Sequence, residues 1–385
     1  MLTSKPYLAI DRGVSAWALC ALLALAAGCG GGRSVYAAAG SEERIPGVKV
    51  RQLTDKGGRV AWHHGSKHKL IAYDSITSRD PYRLDVYVTE ADGSNKRCVT
   101  CDMEELGNIK GNPDWHPDGE HLLLQVGNEN AGKISIFNHV SFGFNNDLWI
   151  ISLDGKRAEK IWSTPLNNAA LHAHFNKKGD KLVFARRKKT GKSRLIWRLI
   201  TPDGENHWDG WRIHLADFNL KKSGENMLSN HRELQPNGDG MYETHGFAPD
   251  GRLVYSHTEG GRAYVDDIYK CDPDGGNVEN MTQSRNTWEE HGSYSPDGRS
   301  FAFMSSRIDP SLKFPKAKPR NLRSELYLRD SNGKIRRVTD MNSRRGEQTA
   351  VSDYAWGPDG KSLAVQVAPF EEIGLDPEIW IVELP

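Results

Sequence analysis

One short pattern recurs along the chain and constrains its fold more than any other feature. It is an aromatic residue, a turn built on Pro-Asp-Gly, then a run of apolar residues. Trp115-His116-Pro117-Asp118-Gly119 leads into Leu122-Leu123-Leu124, and Phe247-Ala248-Pro249-Asp250-Gly251 into Leu253-Val254-Tyr255. Tyr294-Ser295-Pro296-Asp297-Gly298 precedes Phe301-Ala302-Phe303, and Trp356-Gly357-Pro358-Asp359-Gly360 precedes Leu363-Ala364-Val365. Two divergent copies complete the set: Phe175 to Gly179 before Leu182-Val183-Phe184, and Trp62-His63-His64-Gly65 before Leu70-Ile71-Ala72. Proline presets φ and glycine tolerates positive φ, so each copy reads as strand, tight turn, strand. Self-similarity at a spacing of roughly 45–70 residues, in short strands and turns, predicts a β-propeller.

Each unit continues with a third strand, an acidic or glycine turn, and a fourth strand that often ends in threonine. Leu84–Val88 and Cys98-Val99-Thr100 supply these in the first unit, Leu148–Ile151 and Lys160–Trp162 in the second. Asp267–Tyr269 with Met281-Thr282, and Leu326–Leu328 with Val338-Thr339, do so in the fourth and fifth. The third unit is irregular: Leu195–Ile200 reads as its third strand and Trp211–Phe218 as its fourth. The sixth stops after Ile379–Val382, while Val48–Thr54 near the other end carries the same Leu-Thr ending. The expectation is therefore all-β: six blades of four antiparallel strands, with the N-terminal strand completing the last blade and removing free edges.

These repeats resemble the WD40-like (PD40) repeats of the TolB propeller, a periplasmic component of the Tol-Pal envelope system. The resemblance spans about Val48 to Pro385. It implies a propeller over 45–385 at the cell envelope, without the α/β domain that precedes the propeller in TolB. Similar propellers precede the catalytic domain of prolyl oligopeptidase-like peptidases, but the Gly-x-Ser-x-Gly nucleophile elbow is missing here.

Residues 1–29 read as an export signal, with Lys5 and Arg12 ahead of an apolar run from Val14 to Ala27. Its end, Leu25-Ala26-Ala27-Gly28-Cys29, resembles a bacterial lipobox, with Ala26 where that pattern prefers leucine. This implies lipidation at Cys29, a flexible tether over 30–44, and a periplasmic or outer-membrane-anchored lipoprotein that meets the membrane only through its anchor. Cleavage near Ala37-Ala38-Ala39, giving a soluble exported protein, is the alternative. In an exported chain Cys98-x-x-Cys101 reads as a local disulfide, because the one other cysteine beyond Cys29, Cys271, cannot complete a zinc site. With 51 Lys and Arg against 50 Asp and Glu, the chain lacks the basic footprint of a nucleic-acid binder. Thr190-Gly191-Lys192-Ser193 lacks the upstream glycine of a phosphate-binding loop.

In the propellers it resembles, the first strand of each blade is innermost, so residues just before the repeat aromatic should line the top of the channel. These are Asn112, Asp114, His172, His174, Glu243, His245, Glu290, His291 and Asp353. Strict alternation would put His172 and His174 on one face. Three readings stand: a solvated polar lining with no cofactor, a funnel that binds a small ligand or glycan, or a site in which His172, His174, His245 and His291 hold a divalent metal. His172-x-His174 before Phe175 also resembles the histidine-rich metal site of oligogalacturonate lyases, which implies metal-dependent eliminative cleavage of an acidic oligosaccharide. Insertions at Gly127–Asn146, Arg307–Arg323 and Asn219–Met241 are placed above this end. Ile134, Phe137, Phe142 and Phe144 make the first of them apolar, and Trp208 and Trp211 are candidates for stacking on sugars. His63, His64, His68 and His116 read as surface residues at the opposite turns. The expected function is a monomeric, non-enzymatic scaffold binding an envelope protein or glycan through its top face; a metal-dependent lyase is the alternative. No residue is singled out as catalytic.

Overall fold

The computed structural model describes residues 43–77, 80–131, 140–195, 201, 203–259, 265–284, 286–308, 323–346, 348–369 and 377–385. Residues 1–29, read as an export signal ending at Cys29, most of the stretch read as a tether, Ile134, Phe137 and 196–200 lie outside the described residues.

Each repeat becomes one four-stranded antiparallel sheet, and the described residues form six such sheets. The closing strand β1 (Lys49–Thr54) comes first in the chain. Blade one is β2 (Val60–Trp62), β3 (Ile71–Thr77), β4 (Asp80–Thr89) and β5 (Arg97–Cys98). Blade two is β6 (Lys110–Trp115), β7 (His121–Gly127), β8 (Asn146–Ser152) and β9 (Ala158–Trp162). Blade three is β10 (Ala169–Phe175), β11 (Lys181–Arg187), β12 (Trp211–Phe218) and β13 (Leu228–Leu234). Blade four is β14 (Gly240–Phe247), β15 (Leu253–Glu259), β16 (Asp267–Cys271) and β17 (Glu279–Asn280). Blade five is β18 (Glu289–Tyr294), β19 (Phe301–Ser305), β20 (Glu325–Arg329) and β21 (Ile335–Arg337). Blade six is β22 (Thr349–Trp356), β23 (Ser362–Pro369) and β24 (Glu378–Glu383), and β1 lies antiparallel on β24 with Val50 opposite Val382. The ring is therefore closed by the N-terminal strand, as the Leu-Thr ending of that strand predicts. Among the described residues no helix is long and apolar enough to cross a membrane.

Blade three departs from the sequence reading. Its third strand is Trp211–Phe218 rather than Leu195–Ile200, and its fourth is Leu228–Leu234, inside the stretch read as an insertion. The extra residues instead lie between β11 and β12. There the fully buried Arg187 gathers carbonyls of Asn167, Asn206 and Asp209 and the carboxylate of Asp203. A buried guanidinium needs such a set of acceptors, and its five donors organise an otherwise irregular segment. The Thr190 and Gly191 amides in that segment donate to the Glu205 carboxylate, so the loop resembling a phosphate-binding motif already holds an anion of its own chain. At the start of the described chain, Ile45 N–H donates to Arg337 O and Arg337 N–H to Glu43 O, so Glu43, read as tether, is attached to blade five.

The recurring threonines have a common role. Thr100 Oγ1 accepts the Val86 N–H at 2.9 Å and donates to Asp85 Oδ1 at 2.9 Å. Thr339 does the same for Leu326 N–H and Glu325, and Thr282 for Ile268 N–H and Asp267. An acidic residue on the third strand is thereby tied to the end of the fourth. Apolar clusters fill the spaces between neighbouring blades; one joins Val60, Trp62 and Tyr73 of blade one to Ala364, Ile379 and Ile381 of blade six.

Candidate functional site

Regular pleating would alternate the innermost strands' side chains between the two faces, but these strands are interrupted. In β6, β10, β14, β18 and β22 the register shifts, so that two residues face one across the ladder. The paired residues are Asn112-Pro113, His172-Ala173, His245-Gly246, His291-Gly292 and Ser352-Asp353. Such β-bulges re-aim side chains and recur beside functional sites. Asn112, His172 and His291 stand at φ of 50°, 48° and 56°, and Gly246 at 92°. Left-handed backbone at a histidine is uncommon and costs energy that the surroundings must offset.

The surroundings do so through the neighbouring blade. Asp74 Oδ2 accepts the Asn112 N–H at 2.8 Å, Gln125 Oε1 accepts the His172 N–H at 2.8 Å, and His245 Nε2 accepts the His291 N–H at 3.2 Å. Asp74 is in turn paired with the buried Arg59, whose Nε lies 2.9 Å from its Oδ2, and Gln125 also accepts from the Asn112 amide. Sequence reasoning missed Asp74 and Gln125 because they lie on second strands, away from the repeat aromatic, and missed Arg59 although it stands three residues before Trp62, as Asn112 stands before Trp115 and His172 before Phe175.

The bulges bring together His172, Glu243, His245 and His291, with one donor atom from each lying within 4.8 Å of the others. His172 Nε2 is 3.3 Å from Glu243 Oε1, and His291 Nδ1 is 3.8 Å from the same oxygen and 3.5 Å from Asp353 Oδ1. Glu290 Oε2 is 3.8 Å from His291 Nε2, and the Ser256 hydroxyl is 2.6 Å from His245 Nε2. His174 stands apart from this set. Its Nδ1 is 3.3 Å from Asp114 Oδ1, and Asp114 is held by the Phe175 N–H at 2.9 Å. The carboxylate Glu243 thus takes the place that alternation assigned to His174. A glycine directly after His245 and His291 was the legible sign of the bulges.

Burial, followed by the neighbouring His291, His174 and His245 rings and Arg59, holds His172 well below the usual imidazole range. Burial, then His291 and His174, holds His245 down as well. Burial first, and then Glu290, Asp353 and Asp266, pushes Glu243 well above the usual carboxylate range. Burial also raises Glu290 and Asp266. Three imidazoles and a carboxyl, with further carboxyls behind them, form a donor set that fits a borderline divalent transition metal. A cation would relieve the repulsion among these acids, and neutral imidazole is the form that binds it.

Other sequence candidates resolve differently. Cys98 and Cys101 form a disulfide, and Cys271 is buried and free, with burial pushing its thiol up to about 12. Trp208 and Trp211 are core residues packed with Phe144, not exposed stacking platforms. Phe142 and Phe144 likewise pack onto blade three. His63 and His116, read as surface residues, are buried; His63 packs against Trp115 and His116 against Phe175 at the outer turns.

No family model and no curated protein sequence matches the chain. Among solved structures it is similar to TolB from Acinetobacter baumannii at 16% identity and TM-score 0.49, over 81% of this chain and 63% of that one. It is similar to an oligogalacturonate lyase in complex with manganese at 12% identity and TM-score 0.50, over 90% of this chain and 96% of that one. The β-propeller domain of the Trilobed protease from Pyrococcus furiosus is similar at 14% identity and TM-score 0.42, over 81% and 80% of the two chains. At these identities the likeness shows the fold alone, a β-propeller, and the number of blades, six, is read from the sheets of this chain.

Proposed function

We propose that this chain is an exported β-propeller of the cell envelope that binds a divalent transition metal in its channel and holds a protein or glycan partner at that end, without catalysis. The observation that carries the reading is the convergence of His172, Glu243, His245 and His291 from three successive blades within 4.8 Å. Those four residues would hold the ion, and its charge would meet an acidic group of the partner. Export and lipidation at Cys29 are supported by the signal-like residues 1–29. The test is metal content of the purified chain beside a His172→Ala/His245→Ala double variant. Stoichiometric metal in the native chain and loss of it in a folded variant is the expected result. A metal-free native chain that also takes up none on incubation with zinc or manganese overturns it.

A second reading, eliminative cleavage of an acidic oligosaccharide, is favoured by His174. It is partly exposed, its Nδ1 faces the anchored carboxylate of Asp114, and its ring lies 6.4 Å from that of His172. A histidine oriented in this way can accept a proton at Nε2. Turnover of uronate oligomers by the native chain, abolished in His174→Ala with metal content unchanged, would establish this reading. No turnover by the metal-loaded native chain leaves the binding role.

A further inference from the structure

The disulfide of blade one sits among charged groups that bear on its chemistry. Cys98 and Cys101 are both partly exposed, while Val99 and Thr100 between them are buried. Cys98 ends β5, the edge strand of its sheet, so another protein can approach the sulfurs from outside the ring. The Cys101 N–H donates to Cys98 Sγ at 3.0 Å, so a negatively charged sulfur at position 98 finds a backbone donor already in place. An oxygen of the fully buried Asp85 carboxylate lies within 4.8 Å of both sulfurs. Two cations hold that carboxylate: the fully buried Lys110, with Nζ at 2.7 Å, and Arg83, with Nε at 2.7 Å. Arg83 also donates to the Cys101 carbonyl. Two cations against one carboxylate leave this set of charges net positive, which favours a thiolate beside it.

We propose that Cys98–Cys101 is a thiol–disulfide exchange site that accepts two electrons from a protein dithiol. A thiolate of the dithiol attacks Cys101 Sγ, the S–S bond breaks, and its electron pair leaves on Cys98 Sγ. Cys98 is the better leaving group because the Cys101 N–H and the net positive set around Asp85 stabilise its thiolate. The second sulfur of the partner, deprotonated, then attacks the mixed disulfide and releases Cys101. The two released sulfurs take up the two protons that the partner's thiols gave up. This chain ends as a dithiol and the partner as a disulfide. The exchange does not depend on metal in the channel.

The experiment measures the pH dependence of Cys98 alkylation by iodoacetamide in a full-length Cys101→Ser variant, which keeps the N–H of residue 101. Alkylation is read by mass spectrometry on the peptide that carries Cys98, so the buried free Cys271 does not contribute. The midpoint should lie at least about one pH unit below the ordinary thiol value of about 8.5. Arg83→Gln in the same background should raise it by about half a unit or more, because one of the two cations is lost. In the native chain, dithiothreitol should open the bond without denaturant. Brief exposure to glutathione, followed by trapping with N-ethylmaleimide, should leave glutathione on Cys101 and the maleimide on Cys98. A bond that opens only in denaturant, a midpoint at or above the ordinary thiol value, a midpoint indifferent to Arg83→Gln, or glutathione on Cys98 overturns the proposal.

Discussion

His207 is a histidine sealed among aromatic rings, with Phe142, Phe144, Trp208 and Trp211 at centroid distances of 5.5, 5.4, 4.7 and 5.7 Å. Burial, followed by the charge of Arg187, pushes its value down to about 3. The sign of the consequence follows from linkage. Below the unfolded value of about 6.5 the unfolded chain takes up a proton that the folded chain refuses until about pH 3, so stability falls as pH drops through that window. The full effect is on the order of 5 kcal/mol. His207→Phe should therefore flatten the acid limb of a stability–pH curve measured by urea unfolding; an unchanged limb refutes the assignment. Single residues were the least legible part of this sequence. His63 and His116 are buried because each fills the space over the next turn: a Cβ on Gly119 would lie 2.7 Å from His63, and one on Gly179 2.5 Å from His116. The repeat glycine is thus required by its neighbour's side chain as well as by its own positive φ, and an interaction between two repeats is invisible when each is read singly.

The third and fourth strands of a blade are joined by the threonine–acid pair. Thr100→Val keeps shape and burial but leaves the Val86 N–H and Asp85 short of a partner, so it should cost about 1–3 kcal/mol. Denaturant unfolding of the variant measures this, and a midpoint equal to that of the native chain would show the pair to be dispensable. Strand identity was readable wherever aromatic and β-branched residues alternate between turn signals, as in β16 and β20. It failed in blade three, where the sequence offers two candidate strands, the apolar run Leu195–Ile200 and the alternating Trp211–Phe218. The choice there is made by Arg187 and its acceptors, a tertiary arrangement that periodicity does not encode. The channel strands failed in a different way. Their positions were right, but one extra residue in each bulge exchanged His174 for Glu243 beside the other three donors. The histidine at position 172 tolerates its left-handed backbone because Gln125 takes up the displaced N–H.

At the scale of the molecule, closure is the dominant feature, and it was fully legible from the two half-blades at opposite ends of the chain. Removing residues through Thr54 would leave β24 with an unpaired edge and strip Leu53 from the apolar contact between blades six and one. That truncated chain should unfold at lower denaturant and elute as larger species in size-exclusion chromatography; monomeric elution with native stability would show that β1 is not the lock. The pairing of Lys49 with Glu383 also sets a timetable. β1 is the first strand of the ring to be synthesised and β24 the last, so the earliest strand waits for nearly the whole chain before it finds its partner. Closing so long a loop is slow, and every blade between must already be in place to bring the ends together. Until the two ends pair, the chain is an open arc, with both edges of its seam available to any chaperone that recognises an unpaired strand.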